Sequence, residues 1–195
     1  MSKTPQAVLY LHGFNSSPES RKAQQFKLFC ESRSTAEVLV PALPHHPAEA
    51  MALLWQLVTK YEPVLLVGSS LGGFYATALA EASGVKAALL NPAVAPCDHL
   101  GEGFLGPHRN PYTGETWEFT RSHAEALQVL TLPGITRPER YLLLVQTGDE
   151  VLDYRLAVDY YRGCRQLVQT GGSHAFDDFN AVLPEICAFG GLLDF

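Results

Sequence analysis

Three residues far apart in the chain, Ser70, Asp149 and His174, have the types and settings that turn a serine hydroxyl into a nucleophile. Ser70 centres the run Gly68-Ser69-Ser70-Leu71-Gly72, a Gly-x-Ser-x-Gly turn between an apolar stretch and a small-residue helical pattern. Glycines two before and two after the serine remove side chains that would block a tight turn and an approaching substrate. A serine hydroxyl is a weak nucleophile at neutral pH and needs a base to take its proton. Histidine is the usual base, held in the right tautomer by a carboxylate. On a strand-turn-helix scaffold these arrive in the order Ser, acid, His, at the ends of late strands. Asp149 follows an apolar run in Thr147-Gly148-Asp149-Glu150-Val151, and His174 ends the glycine-lined loop Gly171-Gly172-Ser173-His174. Glu150 and Asp153 are rival acids. Asp149 is preferred because a hydrophobic turn into the next helix follows it. Ser69 is expected to point inward.

Such chemistry also needs donors for a developing oxyanion, and backbone amides serve best because they are already fixed. One should be Leu71, at the positive end of the helix after the serine. The second should be Phe14, in the loop Leu11-His12-Gly13-Phe14 after the first strand. His12 is then expected to brace that loop. His45-His46 lacks a third ligand at useful spacing, so no metal is expected, and no cofactor motif is present. His99, His108 and His123 fall in a presumed cap, as bracing or solvated residues.

The elements that must position these groups read as alternating strands and helices. Strands are predicted at Ala7–Leu11, Glu37–Val40, Val64–Val67, Ala87–Leu90, Tyr141–Gln146 and Arg165–Gln169. Most are apolar on both faces, as parallel strands covered by helices on both sides must be. Helices are predicted over Pro18–Arg33, Pro47–Lys60, Leu71 to a stop at Gly84, Leu156–Gly163 and Phe179–Phe189. The fold class is therefore α/β, a doubly wound six-stranded parallel sheet with its ligand site beyond the carboxyl ends of the strands. Residues 92–130 break the rhythm; they are rich in Gly, Pro and Asn, with Phe104, Tyr112, Trp117 and Phe119 interspersed. They are expected to form a small cap insertion ending in a short helix over Arg121–Leu130, its aromatics suggesting an apolar acyl or alcohol pocket.

Bulk properties narrow the classes. A chain of 195 residues with 47% hydrophobic and 17% charged residues suits one domain, residues 1–195, with a full core. A formal net charge of -6 without a basic cluster argues against nucleic acid. No run approaches a membrane span or a secretory signal. Cys30, Cys97, Cys164 and Cys187 are scattered along the sequence, which suits buried reduced thiols in a cytoplasmic protein. Oligomeric state is not set by the sequence.

The strings LYLHGFNSSPES, GSSLGGFYAT, NPAV, NPYTGE, QTGDEVLDYR and GGSHAF, in order from Leu9 to about Phe176, resemble the YqiA family of small bacterial esterases in the α/β-hydrolase superfamily. The resemblance implies a cytoplasmic serine esterase acting on acyl esters, including acyl-thioesters. It carries the family's catalytic positions onto Ser70, Asp149 and His174, with the Phe14 and Leu71 amides as oxyanion hole. Relative to the wider superfamily, two leading antiparallel strands are expected to be missing. The sequence thus favours a carboxylesterase working through an acyl-enzyme on a small-molecule ester. A thioesterase or peptidase with the same triad, and a catalytically silent binding scaffold, remain alternatives.

Overall fold

The structure, a computed structural model, describes residues 6–97 and 104–192. Along the chain run β1 (Ala7–Leu11), α1 (Arg21–Glu31), β2 (Glu37–Leu39), α2 (Pro47–Tyr61), β3 (Leu65–Ser69), α3 (Leu71–Ser83) and β4 (Lys86–Leu90). Then come β5 (Gly106–Arg109), β6 (Thr116–Phe119), α4 (Arg121–Leu130), β7 (Tyr141–Gln146), α5 (Tyr154–Tyr160), β8 (Arg165–Gln169) and α6 (Phe179–Gly190). Among the described residues, six strands pair in parallel in the order β2-β1-β3-β4-β7-β8.

Strand alternation divides the core in two. Leu9, Leu11, Leu66, Leu143 and Val145 face one side, with Leu54 and Val58 of α2, Leu79 of α3, and Ala157 of α5. Val8, Tyr10, Leu65, Val67, Leu142 and Leu144 face the other, with Phe26 of α1 and Val182 and Ile186 of α6. Burying one such aliphatic side chain is worth about 1.5–3 kcal/mol. Both faces are therefore sealed, and only the strand ends are free to carry polar chemistry. Strand order reverses direction between β1 and β3, which opens a crevice beyond their carboxyl ends.

Two local features depart from the sequence reading. Helix α1 begins at Arg21 rather than Pro18, because Ser20 N–H closes a turn onto Ser17 O at 3.1 Å before the helix starts. Between β4 and β7, β5 and β6 pair antiparallel as a hairpin that the sequence reading does not include. Its turn is built on buried Asn110, whose Oδ1 accepts from the Tyr112 and Thr113 amides while its Nδ2 donates to Ser16 O. The helix over Arg121–Leu130 is present as expected.

Candidate active site

Ser70 sits between the end of β3 and the start of α3 with φ 55° and ψ −121°, a left-handed setting that side chains seldom adopt. The surrounding backbone holds it there. Ser70 N–H donates to Leu90 O at 3.0 Å, and Ser70 O accepts from Gly73 N–H at 2.9 Å and Ala93 N–H at 3.1 Å. The flanking glycines are required by contact rather than by dihedral. A Cβ at Gly68 would lie 2.5 Å from Gly72 O, and one at Gly72 would collide with the carbonyls of Leu11 and His12. Ser69, by contrast, is only 4% exposed.

His174 reaches Ser70 from the loop after β8. Its Nε2 lies 3.0 Å from Ser70 Oγ, and its Nδ1 lies 3.0 and 2.8 Å from the two carboxylate oxygens of Asp149. The structure thus brings together the three residues singled out from the sequence. The Asp149 side chain is 2% exposed. Burial alone would raise its carboxyl, but hydrogen bonds from His174 and from the Leu152 and Val151 amides outweigh burial and hold it below the usual range. The rival acids lie elsewhere. Glu150 accepts from the His174 backbone amide at 2.9 Å, and Asp153 caps α5 and pairs with Arg155.

Two further residues, not singled out from the sequence, hold the histidine loop. Asn91, just past β4, is buried with φ 40°; its Nδ2 donates to the Ser173 and His174 carbonyls at 3.0 and 3.3 Å. Its Oδ1 accepts from Gln146 N–H at 2.9 Å. Gln146, ending β7, accepts from the Ser173 and Asp177 amides and donates to Asp177 O. The available signal was a polar amide at the end of an otherwise apolar strand, where a core residue would serve packing better.

The loop after β1 passes directly over the serine: a Cβ on Gly13 would lie 3.2 Å from Ser70 Cβ. Phe14 and Leu71 accordingly flank Ser70, Leu71 as the first residue of α3. His12 braces this loop, its Nδ1 donating to Gly13 O at 3.1 Å and its Nε2 accepting from Leu43 N–H at 3.3 Å. Burial, set against that bond to Gly13 O, lowers the pKa of its imidazole.

Phe104, Trp117 and Phe119 pack edge-on or tilted against the Phe14 ring, with centroids 5.4–6.0 Å apart. Trp117 Nε1 donates to Asn15 Oδ1 at 3.0 Å, and His45 stacks on Trp117. Phe104, Trp117 and Phe119 therefore pack into the seam between the hairpin region and the loop after β1 rather than lining the cleft that holds Ser70. The cleft holding Ser70 and His174, of about 490 Å³, includes only Tyr112 of the four; polar Ser16, Ser20, Lys22, Gln25 and Asp177 also line it. His108 contacts the Phe14 and Trp117 rings, His123 caps α4, and His99 lies outside the described residues. Cys30 and Cys187 are buried free thiols on α1 and α6, with sulfurs 3.4 Å apart.

The parallel sheet, the turn carrying a strained serine and the late acid and histidine loops define an α/β-hydrolase fold. Solved structures share it. Mouse alpha/beta hydrolase domain-containing protein 10 superposes with a TM-score of 0.70 at 16% identity, covering 98% of this chain and 91% of that one. Est1E from Butyrivibrio proteoclasticus with ferulic acid bound gives 0.69 at 17%, covering 96% and 88%. The esterase domain of a Rhodothermus marinus protein gives 0.68 at 17%, covering 98% and 88%. Residues 7–191 match the uncharacterised protein family UPF0227, the YqiA family, and the chain belongs to it.

Proposed function

We propose that the protein hydrolyses carboxylic esters through an acyl-enzyme formed on Ser70. The observation that carries this reading is the unbroken relay from Ser70 Oγ through the His174 ring to Asp149. In the first half-reaction, the Ser70 oxygen bonds to the ester carbonyl carbon while its proton passes to His174 Nε2. The oxyanion is met by the Phe14 and Leu71 amides, each such donor lowering the barrier by roughly 3–4 kcal/mol in a dry site. Collapse breaks the bond to the alcohol oxygen, which leaves with the proton from His174. Water, deprotonated by the same nitrogen, then releases the acid. Asp149 keeps the ring oriented and stabilises the imidazolium.

In this reading the cap expected over residues 92–130, of which 98–103 lie outside the described residues, docks its hairpin on the loop that supplies the Phe14 amide. Reduced thiols in the core fit a cytoplasmic setting, and no helix among the described residues is long and apolar enough to cross a membrane. A thioester would pass through the same steps with a thiol leaving group. Specificity constants over matched oxygen esters, acyl-thioesters and peptides test the assignment. Oxygen esters are expected to rank first. A dominant thioester or peptide activity would move the protein to that class, and inactivity on all three would favour a silent scaffold.

A further inference from the structure

The cleft beside Ser70 contains a cation that has no ion-pair partner among the described residues. Lys22 lines it, and its ammonium donates to the carbonyl of Ala175, the residue after His174, at 2.9 Å. A lysine ammonium carries three donors, yet among the described residues no carboxylate lies in ion-pair range of this one. Arg21 lines the same cleft. Both residues stand in the first turn of α1, which contains no acidic residue. That end of a helix is positive, so cations there are disfavoured. Burial pulls the Lys22 pKa down to about 8, with the field of Asp149 opposing it. Two acids line the same cleft, Asp177, whose Oδ1 accepts from Ser173 Oγ, and Asp178, whose side chain makes no cap hydrogen bond at the start of α6; neither lies in ion-pair range of Lys22. Desolvation and the helix dipole act against Lys22. If its only task were to tie α1 to the histidine loop, a neutral donor would do so at lower cost.

We propose that Lys22, with Arg21 beside it, forms an anion-binding subsite of this cleft, so that the ester taken by the enzyme carries a carboxylate on its acyl or alcohol part. The proposal rests on ester hydrolysis at Ser70. Ser16, Ser20, Gln25 and Tyr112 line the same cleft and supply neutral donors. Lys22 is thus a specificity-determining residue that touches substrate away from the reacting carbonyl.

Initial rates by proton release would compare monoethyl succinate, glutarate and adipate with ethyl esters of matched length. The wild-type enzyme is expected to favour one half-ester over its neutral counterpart by about tenfold or more in kcat/KM. In Lys22→Met that ratio should collapse towards unity, through a raised KM for the half-ester. Equal wild-type rates on charged and neutral esters would overturn the subsite without any variant having to fold. A Lys22→Met enzyme that loses both substrates in equal proportion would overturn it in favour of a purely structural lysine. Wild-type inactivity on every ester would instead remove the hydrolytic reading beneath the proposal.

Discussion

The His174 ring has two nitrogens with opposite tasks. Next to the ionised Asp149, Nδ1 carries the proton and donates it, leaving Nε2 free to accept from Ser70 Oγ. An asparagine at 149 could present its own N–H to Nδ1 and impose the wrong tautomer. Asp149→Asn is therefore expected to lower kcat by about 10⁴-fold. Glu150→Gln, which weakens only the grip on the His174 amide, should cost far less, and Asp153→Asn, at the cap of α5, should leave kcat within about threefold. Steady-state kinetics on one ester check the ranking; a larger loss at 153 than at 149 would move the acid. At this scale the sequence was most legible where the chemistry admits few alternatives. Ser70, Asp149 and His174 announce themselves by type, order and flanking glycines. Asn91, Gln146 and Lys22 do not, because their parts depend on carbonyls and amides brought near only by folding.

Strands and helices were legible where hydrophobic period is strong, as in β3, β7 and α2, whose apolar positions match the two packed faces of the sheet. The β5–β6 hairpin was not: β5 is Gly106, Pro107, His108 and Arg109, without apolar alternation, and the alternation Thr116-Trp117-Glu118-Phe119 in β6 spans only four residues. Two histidines join this region to the body, and one of them, His123, makes the junction pH-sensitive. His46 Nδ1 accepts from Ala48 N–H at the start of α2, and His123 Nδ1 accepts from Thr120 N–H at the start of α4. Their rings lie 4.6 Å apart, with His45 and Glu49 also acting on His123. Protonation of His123 would remove its cap and set a cation against the positive start of α4. Burial, then the neighbouring His46 and His45, lowers the His123 pKa despite Glu49. The unfolded chain therefore binds the proton first. Stability from this group is complete above the ordinary imidazole value of about 6.5 and falls as pH drops below it. Thermal melts should show a Tm decline of a few degrees between about pH 6.5 and 5, comparable to losing a helix cap. His123→Gln keeps an acceptor at the third helical position and should flatten that decline; an unchanged acid limb would place the sensitivity elsewhere.

Across the whole molecule, the parallel sheet brings the ends of β1, β3, β7 and β8 to one edge, where four loops from distant parts of the chain meet. Sequence periodicity indicated a doubly wound sheet, but the mixed polar and aromatic lining of the cleft was not legible. Aromatics between β4 and β7 could have lined a pocket or sealed a seam, and only their packing on Phe14 decides for the seam. Nothing in this arrangement is useful for hydrolysis unless Ser70 is reactive above its neighbours. A fluorophosphonate probe followed by peptide mass spectrometry measures that reactivity directly. The account predicts a single phosphonylated serine at position 70, absent in Ser70→Ala and slowed by orders of magnitude in His174→Ala. An unmodified folded wild-type protein, or an adduct on Ser69, would contradict it.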